Sequence, residues 1–280
     1  MTRVYRMEEQ ELAAAEAAGS MRVPPTPRPA AGVILVRDGG DGPEVLLVRR
    51  RSDMGFAADA YVFPGGTLDD DDGDPAWREL LVEPPAAALA GATDRDSPSA
   101  LTFVVAALRE MFEETGALLT AGPEPDRSAL AGGRAALVAG ERRFLDIVRE
   151  RGLELAADRL ILCARWITPE SLSRRYDARF FLAAAPDGVE IEAERGELVE
   201  HLWIEPGRAL ERYFAYELRM LYPTARTLEW LAEGDSVRDL QTRFMDREVR
   251  PILPRLRRVE GRVVPVIPGE PGYDERDGDG

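Results

Sequence analysis

This chain of 280 residues is poor in the usual catalytic and structural specialists, with one Cys, Cys163, and one His, His201. A single Cys closes no internal disulfide, which excludes a secreted disulfide framework. One His and one Cys do not make a His/Cys zinc site. A Ser-His-Asp triad would have to use His201, and no G-x-S-x-G elbow supplies its nucleophile. Basic residues are outnumbered 51 to 36, and the net charge of −15 argues against a nucleic-acid footprint, which needs a basic face to displace counterions. Long apolar runs are missing too. The most apolar mid-chain stretch, Ala100 to Leu108 broken by Thr102, is far below the ~20 residues a membrane span needs. The N-terminus has no apolar h-region and carries Glu residues, so it reads as neither a secretory nor a transit signal. A cytoplasmic protein is expected, without nucleic-acid or membrane partners; a homodimer is left open.

The residues present are ordinary for a globular chain, 45% apolar and 31% charged, at a length that suits one elaborated domain or two small ones. The acidic excess suits one chemistry well: carboxylates holding hard divalent cations. Residues 1–28 read as a short helix, Met7 to Ala18, and a Pro-rich linker. The apolar runs Ala31–Val36 and Val45–Val48 flank a Gly/Asp/Pro cluster and predict a hairpin. A short strand, Tyr61–Phe63, stops at Pro64-Gly65-Gly66. A helix follows, with Ser97 as N-cap, Pro98 as its first residue and Gly116 past its end. Residues 126–151 read as helix interrupted at Gly132-Gly133 and Gly140. Strands are predicted at 159–167, 178–185 and 198–204, helix in three pieces over 207–246, and two β-like runs around Gly261. This order favours a mixed α+β sheet. Domain bounds of 29–250, with a C-terminal extension over 251–280, follow from these breaks.

On a helical wheel Leu101, Val104, Val105, Leu108 and Phe112 share one face. Glu110, Glu113 and Glu114 stand nearly opposite, at i, i+3 and i+4, where they repel one another. Alone, such a trio reads as a solvated face. Its context changes that reading. Arg109-Glu110-Met111-Phe112-Glu113-Glu114-Thr115-Gly116-Ala117, with Phe63-Pro64-Gly65-Gly66 upstream, resembles the Nudix box, G-x5-E-x7-R-E-U-x-E-E-x-G-U with U apolar. Two departures stand out. The x5-E slot falls on Asp72, with Asp69, Asp70 and Asp71 as equal claimants. And 36 residues separate Asp72 from Arg109 where the pattern has seven, an insertion of 29 (about 73–98) that a surface loop absorbs at modest entropic cost. The acidic run is read as the entry to this insertion.

A split box of this kind resembles the Nudix branch that cleaves coenzyme A and acyl-CoA at the diphosphate. So do Arg165-Trp166-Ile167-Thr168-Pro169 and Arg179-Phe180-Phe181-Leu182. A further CoA-type pattern, L-L-T-x-R-[SA] leading into G-x3-F-P-G-G, is met by Leu46-Leu47-Val48-Arg49-Arg50, but Asp59 stands where it has Gly. The resemblance implies a Nudix-type α/β/α sandwich with a mixed central sheet and extra C-terminal helices. It implies hydrolysis of a nucleoside diphosphate derivative, a small-molecule substrate such as CoA, acyl-CoA, ADP-ribose or NADH, with Mg²⁺ or Mn²⁺. Glu113 and Glu114 would ligate the metal and Glu110 would be a further ligand or the base. The Gly65 carbonyl would complete the site, and Arg109 would orient a helix carboxylate by a bidentate ion pair. Glu197 and Glu200 are candidates for a base from a later loop; Arg49, Arg50 and Arg51 could meet phosphate. Trp166, Phe180 and Phe181 read as core before base-stacking residues, and His201 and Cys163 as structural. A Nudix-fold protein that only binds nucleotide is the rival, and it has no need of three mutually repelling carboxylates. An EF-hand loop set on Gly73 fails, with Leu68 at its first position and Pro75 inside it.

Overall fold

The protein is described by a computed structural model covering residues 5, 23–53, 57–122, 125–193, 196, 198–259 and 262–274. The expected Met7–Ala18 helix and Glu197 lie outside them. Strands β1 (Arg28–Asp38) and β2 (Pro43–Arg50) form the predicted antiparallel hairpin. Successive side chains leave a strand on opposite faces. Val33, Leu35 and Leu46 accordingly join one apolar core, while Ile34, Val36, Val45 and Leu47 join a second. Burial on both faces is why these strands read as unbroken apolar runs.

Six more strands complete the sheet: β3 (Tyr61–Val62), β4 (Gly65–Thr67), β5 (Ile161–Ile167), β6 (Tyr176–Ala184), β7 (Leu198–Ile204) and β8 (Pro251–Ile252). The order is β3-β2-β1-β6-β5-β8, with β4 beside β1 and β7 beside β2. The β1–β6 and β5–β8 pairs are parallel and the rest antiparallel. The first core joins the sheet to α1 (Ala100–Thr115), α2 (Arg127–Val138) and α3 (Phe144–Glu150). The second joins it to α4 (Pro206–Phe214), α5 (Tyr222–Leu231) and α6 (Val237–Met245). This is the expected α+β sandwich with its C-terminal helices. A separate hairpin, β9 (Arg255–Val259) and β10 (Arg262–Val266), flanks Gly261. Among the described residues no helix is long and apolar enough to cross a membrane.

Several local expectations are corrected. The N-cap of α1 is Ser99, whose hydroxyl accepts from the Thr102 N–H at 3.2 Å. Ser97 instead accepts from the Asp94 N–H, so Pro98 precedes the cap rather than opening the helix. Gly116 ends α1 in the left-handed conformation as expected, φ 72°. The Gly132-Gly133 pair does not break α2: a Cβ on Gly133 would stand 3.1 Å from Ile147, so its absence lets α2 and α3 close together. Beyond Pro64 the chain does not stop pairing but forms β4. Asp59, where the CoA-type pattern has Gly, adopts φ 62°, a conformation Asp tolerates better than most residues.

The insertion is not a loose surface loop. A 3₁₀ turn at its entry, Asp70–Gly73, leads into two more within it, Pro75–Glu79 and Ala86–Leu89. Trp77 is only 1% exposed, its ring 5.3 Å from that of Phe144 and its indole N–H bonded to the Asp71 carbonyl. Farther along, Ala92 is buried and its carbonyl accepts from Arg179 Nε at 2.9 Å. Arg165 bonds both Asp94 of the insertion and Asp177 of β6. Buried Arg is tolerated only when its donors are met, and Arg179 also lies over the Phe103 ring at 3.9 Å. The two Arg motifs of the sequence thus fasten the insertion to the sheet.

Candidate active site

The site forms where β4 crosses the last turns of α1. A side chain is excluded at two glycines there. A Cβ on Gly32 would meet the Pro64 carbonyl at 2.6 Å, and one on Gly65 would meet the Ala31 carbonyl at 2.6 Å. The close β1–β4 approach aims the Gly65 N–H at Glu114 Oε2, 2.9 Å away. Gly66 lies flat against Glu110, where a Cβ would stand 2.5–2.7 Å from the carboxylate. Glu114, on the helix face that alone reads as solvated, is only 7% exposed, because α1 is covered on that side by β4.

Arg109 is the hub. Its Nε and Nη2 donate to the two carboxylate oxygens of Asp72, both at 2.9 Å, and Nη2 also reaches the Thr67 carbonyl. Its Nη1 donates to Glu110 at 2.9 Å and to Glu113 at 3.1 Å. The bidentate partner is therefore Asp72 and not a helix glutamate, which corrects the expectation for Arg109. It also settles the four-way choice in the acidic run: Asp72 is 3% exposed and accepts the Asp69 N–H, while Asp71 is half-exposed. One guanidinium serves four carboxylates, Asp69 at 3.7 Å being the fourth, which leaves acidic charge in excess. Burial pushes the Glu110 carboxyl up against the pull of Arg109, and repulsion from Glu113 adds to it, to about 7. Burial raises Glu113 as well. Behind the helix, Arg134 donates from Nε and Nη2 to the Glu113 carbonyl at 3.0 and 2.8 Å. A cation there suits the negative end of α1; sequence reasoning did not single it out.

The three glutamates, Gly65 and Gly66 border a cavity of about 640 Å³, a size typical of small-molecule sites. Trp166, Thr168 and Phe180 also line it, so part of the second resemblance group borders the cavity. Phe181 is fully buried in the core, and Cys163 is buried with its thiol pushed up to about 12. Arg50 borders the cavity, but Arg49 and Arg51 do not. Arg49 faces Asp59 and Glu200, Glu200 also accepts from the Tyr61 hydroxyl, and Arg51 pairs with Asp53. Arg28 and Arg174, not singled out in the sequence, border the cavity too. A second cavity, of about 730 Å³, meets the first at Asp69, Arg109 and Glu113 but does not reach Glu110 or Glu114.

A split acidic box at such a crossing is matched by known proteins. The profile of the NUDT19 Nudix domain matches residues 13–229. The chain belongs to this family of Nudix hydrolases. It is 28% identical to the acyl-coenzyme A diphosphatase NUDT19 of Gallus gallus, over 83% of this chain and 73% of that protein. It is 27% identical to the Homo sapiens protein of the same name, over 84% and 73%. Among solved structures, a Nudix hydrolase from Alicyclobacillus acidocaldarius superposes with a TM-score of 0.60 at 29% identity, covering 75% of this chain and 93% of that one. This Nudix hydrolase therefore acts on a diphosphate linkage in a small nucleotide derivative, chemistry for which the family generally uses divalent metal.

The residues fit such an ion in kind. Hard cations take oxygen ligands, and three largely covered carboxylates, two of them, Glu110 and Glu113, with raised proton affinity, border one cavity. Among the described residues no three acidic, His or Cys side chains converge as a ready metal cluster. Glu110 and Glu113 are instead turned to Arg109, and Glu114 to the Gly65 N–H.

Proposed function

We propose that the chain hydrolyses the diphosphate of coenzyme A or acyl-CoA. Glu110, Glu113, Glu114 and the Gly65 carbonyl would hold Mg²⁺ or Mn²⁺, which when bound neutralises phosphate charge and makes water a better nucleophile. The observation that carries the reading is the grouping of three glutamates and the Gly65-Gly66 backbone on one cavity, at the end of a box otherwise held together by Arg109 and Asp72. The names of the two vertebrate relatives support the choice of substrate.

The chain's own groups divide the work. Arg109 holds Glu110 and Glu113 in place while Asp72 fixes Arg109. Glu110, on the cavity beside Glu113 and held by Arg109, would serve either as a further ligand or as the group that takes a proton from the attacking water. Arg28, Arg50 and Arg174 on the cavity wall are suited to receive phosphate oxygens. The test is to incubate the protein with Mg²⁺ and CoA, acyl-CoA, ADP-ribose or NADH, and to measure released phosphate monoesters. CoA or acyl-CoA should be turned over fastest, and Glu114→Gln should lose about 100-fold, as for loss of a metal ligand. Preference for ADP-ribose or NADH overturns the substrate, and near-normal Glu114→Gln activity overturns the site.

A further inference from the structure

The cavity that holds the three glutamates does not end with the segment matched by the family profile. That match stops at residue 229, yet Pro254, Leu256 and Pro265 of the C-terminal hairpin also line the cavity. Leu256 and Pro265 are direct cross-strand partners in the β9–β10 register, so they project from the same face of the hairpin. The neighbours Arg255 and Arg257 project from the other face. There Arg255 donates to the Tyr273 carbonyl at 2.8 Å and Arg257 to the Gly272 carbonyl at 2.9 Å. The Tyr273 hydroxyl returns to the Leu253 carbonyl at 3.0 Å, and Glu270 pairs with Arg226 of α5 at 2.9 Å. The hairpin is therefore a braced wall with an apolar face toward the cavity.

Its place in the fold sets its distance from the reaction. Pro254 follows β8, which lies four strand spacings from β4 in the order β4-β1-β6-β5-β8. At ~4.8 Å per spacing β8 stands about 19 Å from β4 across the sheet. That is the reach of roughly five extended peptide units, so the hairpin, which leaves the sheet at its far edge, faces the distal end of a substrate whose diphosphate sits at the glutamates. Arg258 and Val263 continue the same face farther out, but the part that lines the cavity, Pro254, Leu256 and Pro265, offers aliphatic carbon.

Resting on the CoA-diphosphatase reading above, we infer that the Leu256–Pro265 face of the hairpin binds the fatty-acyl group of an acyl-CoA thioester and sets the preference for acyl-CoA over free CoA. These residues touch only the far end of the substrate, so they act on binding and leave the diphosphate chemistry alone.

The experiment compares free CoA with a long-chain acyl-CoA in the parent protein and in Leu256→Ala and Leu256→Asp, with thermal melting to follow folding. Expected is a rise in KM for acyl-CoA, on the order of tenfold for Leu256→Asp and less for Leu256→Ala, with kcat held and both constants for free CoA within about twofold. A parallel loss on both substrates, or no change on either, overturns the inference while leaving the CoA reading intact. Failure of the parent protein to cleave either compound overturns the CoA reading and this inference with it. If Leu256→Asp melts early, Leu256→Ala at unchanged melting temperature decides by the same split.

Discussion

Replacing Asp72 by Ala isolates the junction on which the split box depends. Asp72 is 3% exposed and Arg109 5%, and two bonds of 2.9 Å join them. Removing one partner of a buried, hydrogen-bonded ion pair costs about 3–5 kcal/mol, because the other charge stays buried without compensation. Arg109 keeps Glu110, Glu113 and the Thr67 carbonyl, which places the loss near the lower figure, about 3 kcal/mol. For a chain of this size each kcal/mol is worth roughly 2–4 °C, so the melting temperature should fall by about 6–12 °C. The freed guanidinium nitrogens also compete for the helix glutamates, and the divalent-cation requirement should rise by 10–100-fold, as for other groups that orient metal ligands. Calorimetry and metal titration of turnover read the two effects. Asp71→Ala is the control: that side chain is half-exposed with Arg143 at 3.6 Å, and its loss should stay within about 0.5 kcal/mol. Equal, small shifts in both variants would refute the assignment of Asp72 as the anchor.

Other outcomes follow from the same geometry. In chelator, stability should decline as pH rises from about 5 to 8: Glu110 titrates near 7 in the folded protein against 4.5 as a free side chain, so its contribution is full below the lower value and lost through the upper one. The loss is on the order of 3 kcal/mol; urea melts at several pH values would record it, and Glu110→Gln should flatten the profile. Gly66→Ala should leave the melting temperature within a few degrees but cut turnover at least tenfold, since the new methyl displaces only the Glu110 carboxylate; equal activity would show that Glu110 is free to move. Gly65→Ala should instead unfold the β4 crossing, because its methyl meets backbone at 2.6 Å, and a normal melt would contradict that.

Much of this was legible from residue order. The three glutamates and Arg109 carry a spacing that the helix alone enforces, the Gly65-Gly66 pair stands out after Pro64, and the unbroken runs of β1 and β2 announced strands buried on both faces. The position of Asp72 was legible too, at the x5-E slot, but three adjacent aspartates made the count ambiguous. Only burial separates them. The partner of Arg109 lies 37 residues away in sequence, and no local pattern encodes which carboxylate a guanidinium finds across an insertion. The packing of that insertion is not legible because Trp77, Leu80, Leu81 and Val82 are set among Asp, Glu, Ala and Pro with no clear period. The burial of Trp77 depends on Phe144, from a helix read separately. Leu256 and Pro265 carried no periodic signal, since the runs Arg-Leu-Arg-Arg-Val and Arg-Val-Val-Pro-Val resemble any exposed ribbon until their neighbours are known.

The insertion is clamped at both ends. Arg109 holds its start through Asp72, and Arg165 and Arg179 hold its close through Asp94 and Ala92. Loop closure costs little more when a loop doubles in length, and here closure is enforced by fixed bonds outside the interior. The box is therefore a unit of space rather than of sequence. The stretch between the clamps has its own seats, with Trp77, Leu81 and Ala88 buried and Leu80 and Val82 bonded through their backbones to Leu155, so grafting without moving a glutamate is open at its exposed turn around Ala86 and Ala87.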